Sequence, residues 1–276
     1  MQFRHPRAVV LLFIGIIVVM QAAFWLLPRR SFSENEKRVL SEAPQIDAAG
    51  IADGSVFRSI ESYLSDHFPG RELWVGANTY LENAEGRGAT EDIVRGTDGW
   101  LFTAPVSDDR ETLWDNMQAI TTFAEKQSVP VSMMAVPSAG AVVSDKLPAL
   151  HMPYSDADLL EEARRIAGNT LHWVDLYTDF CSAEQPERLY YRTDHHWTSE
   201  GAYRAYCLLM EELGQSSVPR DDFTVEQISG FYGTSYSKSG LWLTEPDTLE
   251  LWTGSDIQAV TTVYDANRAD PVTREG

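Results

Sequence analysis

Tyr190-Tyr191-Arg192-Thr193-Asp194-His195-His196-Trp197-Thr198-Ser199-Glu200-Gly201-Ala202 is the stretch on which the chain's reading turns. Four aromatic or imidazole rings and one carboxylate fall within Tyr190–His196. A strand pattern, Leu171 to Leu176, lies upstream, and an amphipathic helical pattern, Ser199 to Leu213, begins directly after it with Thr198 as its N-cap. Loops at the carboxyl ends of strands in open α/β sheets are where sites form. Asp194 and His196 are two residues apart, so both can face one side of an extended segment or turn. A carboxylate bonded to one imidazole nitrogen fixes the tautomer and raises the basicity of the other, which is what a general base needs. His195, between them, is then expected to point away. A pair of packing histidines remains the alternative.

Outward from this stretch the chain alternates. Arg110 to Gln127 reads as an amphipathic helix, Val129 to Val136 as a buried-type strand and Asp156 to Gly168 as a helix closed by glycine. Strands separated by helices predict a βαβ unit, a parallel sheet and an α/β layered domain. Upstream, Ala48 to Glu85 is helical and broken at Pro69-Gly70. Its apolar stripes are Val56, Ile60, Tyr63 and Leu64, then Leu73, Trp74, Ala77, Tyr80 and Leu81. Ile93 to Gly96 and Trp100 to Phe102 flank Asp98-Gly99, a hairpin signal. From Phe223 the pattern weakens into aromatic, glycine-punctuated loops, Phe231–Tyr236 and Leu241–Leu243. The polar stretch Ala266–Gly276 shows no closing element, so the domain is expected to be truncated at its C-terminus.

Ala8 to Leu27 is an apolar run interrupted by Gln21, long enough to cross about 30 Å of hydrocarbon. Residues 1–30 hold Arg4, Arg7, Arg29, Arg30 and no acid, leaving 18 of the 22 basic side chains and all 41 acidic ones in the other 246 residues. A short basic N-terminus before a long acidic body predicts 1–7 in the cytoplasm, 8–27 as a single-pass anchor, 28–47 as a juxtamembrane stalk and 48–276 as a domain outside the cytoplasm. The net charge of −19 leaves no basic face for nucleic acid. Asp194, His195 and His196 could ligate a metal, but adjacent histidines on an extended segment diverge and no second cluster accompanies them, so no metal or cofactor is expected. Cys181 and Cys207 either pair in an oxidising compartment or stay free, with Cys207 on an apolar helix face.

Arg192-Thr193-Asp194-His195-His196-Trp197-Thr198-Ser199-Glu200-Gly201-Ala202 resembles the signature of the DHHW family, whose members are similar to the AlgX/AlgJ-like, SGNH-hydrolase-like domain of alginate O-acetylation proteins. Glu34-Asn35-Glu36-Lys37-Arg38, Gly96-Thr97-Asp98-Gly99-Trp100-Leu101-Phe102, Val136-Pro137 with Lys146-Leu147-Pro148, and Phe231-Tyr232-Gly233-Thr234 add scattered matches over residues 30–276. The resemblance implies a three-layer SGNH-hydrolase-like fold and an Asp194–His196 dyad. It also implies a serine nucleophile in an Asp-Ser element after Trp197. No such element follows here; Gly254-Ser255-Asp256 has the wrong order. The nucleophile is therefore expected to be missing from these 276 residues, leaving them inactive alone.

The function expected is a serine-type O-acetyltransferase or esterase acting on cell-surface polysaccharide. A membrane-bound O-acyltransferase is the partner the resemblance implies. The alternative is a non-catalytic polysaccharide-binding or assembly accessory protein. Tyr191, Arg192, His195 and Trp197 are the candidate substrate contacts. Ser138 and Ser144, after the Val129–Val136 strand, are candidate oxyanion donors.

Overall fold

The computed structural model describes residues 6–87, 89–90, 92–105, 107–254, 260–263 and 272–275. Arg4, Ser255, Asp256 and most of Ala266–Gly276 lie outside the described residues. The N-terminal helix α1 (Pro6–Leu26) is exposed along nearly its whole length and is long and apolar enough to cross a membrane. A small hairpin, β1 (Phe32–Ser33) and β2 (Arg38–Val39), follows.

This hairpin occupies the expected stalk, and it is docked. Arg38 makes a two-pronged pair with Asp66, at 2.5 and 3.1 Å, and the Ser41 amide and hydroxyl donate to the same carboxylate. Ser33 and Asn35 donate to Glu72. Three helices carry these partners: α2 (Ala48–Asp53), α3 (Ser55–Asp66) and α4 (Arg71–Ala84). The break expected at Pro69-Gly70 is present, and Gly54, at φ 80°, adds a second. Only the left-handed region accommodates that φ, where a glycine pays no side-chain penalty.

Of the apolar stripe Leu73-Trp74-Ala77-Tyr80-Leu81, all but Tyr80 are exposed. α4 instead buries Gly76 and Thr79 and half-buries Tyr80, against Gly240 and Trp242. Amphipathic spacing marks an apolar face; it does not say what covers it.

The expected hairpin forms as β4 (Ile93–Arg95) paired with β5 (Leu101–Thr103), with the short β3 (Ala89–Thr90) on the other side of β4. The Trp100 amide closes a four-residue turn on the Thr97 carbonyl, and both central residues, Asp98 (φ 51°) and Gly99 (φ 81°), are left-handed. This is the two-residue primed turn that Asp-Gly favours because its twist matches that of the strands.

Helix α5 (Arg110–Glu125) leads to β6 (Ser132–Met134), α6 (Ala139–Val142), α7 (Asp156–Ala167), β7 (His172–Val174), α8 (Leu176–Cys181) and α9 (Ser199–Glu212). β6 and β7 pair in parallel, Ser132 with His172 and Met134 with Val174. Among the described residues the expected parallel sheet is confined to these two strands, each shorter than the pattern suggested. Met117 of α5, Ala163 of α7 and Leu171, just before β7, form the cluster on one side. Phe102, Val143, Leu176, Phe180, Tyr190 and Ala205 form the larger cluster on the other. Thr198 caps α9, its hydroxyl accepting from the Gly201 amide.

The region read as loops from Phe223 holds the longest ladder, β8 (Phe223–Phe231) antiparallel to β9 (Asp247–Gly254), with α10 (Thr234–Ser239) between. β8 was illegible because Phe223 and Val225 lie on one parity and Ile228 on the other. Most of its residues are exposed, and a bulge falls at Gly230. β10 (Val260–Val263) pairs with β11 (Val272–Glu275), so part of the presumed polar tail is strand. Both cysteines are free, Cys181 exposed and Cys207 half-buried.

Candidate functional site

The deciding stretch is a closed loop. Tyr190 bridges Trp197 across it, the Tyr191 amide donates to the His196 carbonyl and the Thr198 amide to that of Leu189. Tyr190 is buried in the core, and its hydroxyl donates to the Pro137 carbonyl at 2.6 Å. The ends of the loop are thus fixed by packing and by these backbone hydrogen bonds.

Asp194 is 4% exposed and accepts four hydrogen bonds. Its Oδ1 takes the His196 amide at 2.9 Å and the His196 ring Nδ1 at 2.5 Å. Its Oδ2 takes the Thr234 amide at 2.6 Å and the Thr234 hydroxyl at 3.0 Å. Burial opposes ionisation of this carboxyl, but the Thr234 and His196 amides, the His196 ring and the Thr234 hydroxyl outweigh it and hold its pKa below the ordinary carboxylate value. With all four lone-pair positions occupied, Asp194 is suited to orienting a ring and unsuited to attacking or to taking a proton.

Two consequences follow for the imidazoles. Asp194 is ionised, so the neutral His196 ring has its proton on Nδ1 and its lone pair on Nε2. The Thr234 hydroxyl spends its proton on Asp194, so it accepts from His195 Nδ1 at 2.8 Å. In their neutral forms both rings have the lone pair on Nε2. His195 does not point away as expected. Its ring lies 3.9 Å from that of His196, and one ligand atom from each of Asp194, His195 and His196 falls within 4.8 Å of the others. The divergence that argued against a metal is absent. A cation bound there would have to take Asp194 Oδ1 from the His196 ring.

Asp194, His195, His196 and Trp197 line a cleft of about 590 Å³ with an otherwise largely apolar wall, including Phe102, Pro137, Leu159 and Leu160. Ser138 and Asp156 lie in the same cleft, the Ser138 amide donating to Asp156 at 2.6 Å. Among the described residues the buried Ser138 Oγ has no hydrogen-bond partner. Tyr154 closes the wall, its hydroxyl donating to the Thr103 carbonyl; burial, then the charge of Asp156, pushes its pKa up to about 12.

Two expected substrate contacts sit elsewhere. Tyr191 is 8% exposed, its ring tilted against Phe231 with centroids 5.0 Å apart, and Arg192 pairs with Asp247 and the Pro246 carbonyl. Neither lines the cleft. Their work is to hold the loop. Thr193, fully buried, adds its amide and hydroxyl to Asp247, at 2.8 and 2.7 Å, and accepts from the Gly233 amide.

Residues 93–242, more than half of the chain, match the family described as SGNH hydrolase-like domain, acetyltransferase AlgX. The chain belongs to this family. The matched segment runs from β4 through the Asp194–His196 loop to the Trp242 that packs on α4. This AlgX-family domain is 29% identical over 208 residues to "Probable alginate O-acetylase AlgJ" of Pseudomonas syringae pv. tomato, covering 69% of the chain and 48% of that protein. It is 25% identical over 209 residues to the protein of the same name from Pseudomonas fluorescens, covering 71% and 50%. The chain thus spans about half the length of these curated relatives. Its fold is shared with a DHHW family protein from Eubacterium siraeum (24% identity, TM-score 0.51, 63% of this chain and 57% of that one). It is also shared with Bacillus cereus PatB1 with a sulfonyl adduct (21%, TM-score 0.51, 66% and 62%).

Gly233, Thr234 and Asp247 are site residues that the reading of the loop alone missed. Gly233 and Thr234 lay in a flagged segment, but nothing in their spacing points at Asp194. A Cβ at Gly233 would fall inside the van der Waals contact of the Asp194 Cβ and carboxylate. Gly233→Ala is therefore expected to displace the Asp194 carboxylate and cost about 1–3 kcal/mol, as overpacking does. Thermal unfolding checks the stability. Loss of the hydrogen-bonded His196 Nδ1 proton signal in NMR checks the displacement.

Proposed function

We propose that this domain supplies the acid–base half of a serine-type acyl transfer, moving acetyl groups on polysaccharide outside the cytoplasm while α1 anchors it in the membrane. The observation carrying this reading is the His196 ring, tied to a buried carboxylate through Nδ1 and lining an apolar cleft.

The chemistry runs in two halves. A serine hydroxyl attacks the acyl carbon of the donor ester as His196 Nε2 takes its proton, giving a tetrahedral oxyanion and an imidazolium beside Asp194. Collapse breaks the bond to the leaving alcohol, which receives that proton from Nε2. A sugar hydroxyl, or water, then attacks the acyl-serine, with His196 again removing the proton and returning it to the serine. Asp194 stays ionised throughout and compensates the imidazolium charge. Among the described residues no hydroxyl is hydrogen-bonded to His196 Nε2, and no Asp-Ser element follows Trp197 in the 276 residues. These residues by themselves are therefore expected to show no ester turnover.

Ser138, a residue of the cleft wall whose buried Oγ has no hydrogen-bond partner among the described residues, is the candidate donor to the oxyanion. His195 and Trp197 are the loop's remaining contacts for the acyl donor or sugar. A membrane-bound O-acyltransferase would be the upstream acyl source.

The test is acetyl-ester turnover on an O-acetylated polysaccharide by the protein expressed from its whole gene. His196→Ala is expected to remove about 10⁴-fold of the rate, and Ser138→Ala about 10²–10³-fold, with thermal stability little changed. Wild-type turnover by His196→Ala would refute the mechanism. Polysaccharide binding without turnover by the unmodified protein would favour an accessory role.

A further inference from the structure

The helices behind the hairpin carry an apolar surface with no protein partner among the described residues. On α3 and the turn after it, Phe57, Leu64 and Phe68 recur at helical spacing and are exposed. On α4, Leu73 is 72% exposed and Trp74 54%. The opposite side of α4 is already occupied by Gly240 and Trp242, so this face is turned away from the core. Five large apolar side chains on one short helical pair are more than scattered surface residues.

What covers them is indicated by their neighbour. Phe68 and Leu73 line the same groove as Ala23 and Leu27, at the end of α1. The Phe24 ring meets Tyr63 of α3 edge-on, with centroids 6.4 Å apart, and the Arg29 guanidinium lies 4.0 Å from the Phe24 ring centre and 5.6 Å from that of Tyr63. The α3–α4 turn is therefore level with the last turn of α1. A 21-residue helix at 1.5 Å per residue is about as long as the hydrocarbon layer is thick. A span that fills the layer puts Ala23–Leu27 at its outer boundary, and Phe68 and Leu73 beside them. Arg29 and Arg30 then stand at phosphate height, and Trp74 in the interfacial zone that tryptophan favours. The acids nearest the turn are engaged within the protein. Asp66 is neutralised by Arg38, and Glu72 is bonded to Ser33 and Asn35.

We propose that the α3–α4 turn seats on the phospholipid surface through which α1 passes, with Phe68, Leu73 and Trp74 among the headgroups and Arg29 and Arg30 on lipid phosphate. The domain is thereby held against the bilayer on one face, not suspended on a tether. The inference rests on the reading of α1 as a membrane span.

The experiment uses the full chain with both cysteines replaced by serine and one new cysteine at Leu73, Val19 or Leu150, each labelled with an environment-sensitive fluorophore. The protein is reconstituted into vesicles of phosphatidylethanolamine and phosphatidylglycerol with a share of brominated phosphatidylcholine. Loss of fluorescence at positions 73 and 19, with none at 150, is the expected result. Loss at 19 alone would overturn the seating while leaving the anchor intact. Equal loss at 73 and 150 would mean that no face is preferred, and would overturn it too. A blue shift at 73 without quenching would put protein, such as a second copy of this chain, on the face in place of lipid. Absence of quenching at 19 would sink the anchor and the seating together.

Discussion

Asp194→Asn is expected to lower acetyl-ester turnover by about 10³–10⁴-fold in the protein expressed from its whole gene. The carboxylate accepts four hydrogen bonds, two on each oxygen. An asparagine keeps one acceptor oxygen and turns an NH₂ toward donors on the other side. If the amide oxygen faces Thr234, the NH₂ meets His196 Nδ1, which must then accept. The ring proton moves to Nε2, the nitrogen that has to receive the nucleophile's proton. If the oxygen faces His196, the NH₂ opposes the Thr234 amide and hydroxyl and leaves a buried donor unmet, at about 1–3 kcal/mol.

The same variant should reshape the acid limb of stability. The folded pKa of Asp194 is lowered, so its contribution is complete above the ordinary carboxylate range, near pH 4, and is lost as pH falls through the lower folded value. Asp194→Asn removes that titration, so its thermal stability should fall less steeply below about pH 4 than that of the unmodified protein. Rate and melting temperature measured across pH in both forms check the two halves. An unchanged rate, or parallel acid limbs, would contradict the assignment.

Asp247→Ala should be the most damaging single change to the fold around the site. Asp247 is buried and binds three groups from the loop: the Arg192 guanidinium, the Thr193 amide and the Thr193 hydroxyl. Thr193 is fully buried, so water cannot replace what is lost. Leaving a buried amide unpaired and an arginine uncompensated costs about 3 kcal/mol, or about 6–12 °C in melting temperature for a domain of this size. Since Thr193 adjoins Asp194 and also receives the Gly233 amide, turnover should fall with stability. Asp247→Asn, which keeps one acceptor for Thr193, should lose about half as much. Calorimetry on the three proteins separates the outcomes, and an Asp247→Ala protein that melts with the unmodified one would refute the role.

How far the sequence carries the structure depends on how local each feature is. The Asp98-Gly99 turn, the Thr198 cap, the glycine after α7 and the hydrogen bond from His196 to Asp194 each rest on residues within a few positions of one another. Backbone geometry nearly dictates them. β8 failed because its apolar residues change parity. The α4 stripe failed because periodicity reports an apolar side without its partner. The placement of Tyr191 and Arg192 away from the cleft was illegible for a related reason. Residue type suits them to binding sugar, but the chain folds Phe231 and Asp247 onto them from 40 and 55 residues away.

The sequence by itself determined that an aspartate and a histidine two residues apart would meet in a loop before a capped helix, and that α1 would be long and apolar, because both follow from short-range spacing. Only the tertiary structure decided that Thr234 and Gly233 would close around Asp194, that the His195 ring would lie against that of His196, and that Asp247 would hold the loop. These contacts are set by the packing of α10 and β9 against a loop some 40 to 55 residues earlier. No local propensity encodes so long a return of the chain. Its stability comes from burying polar groups only where each finds a partner.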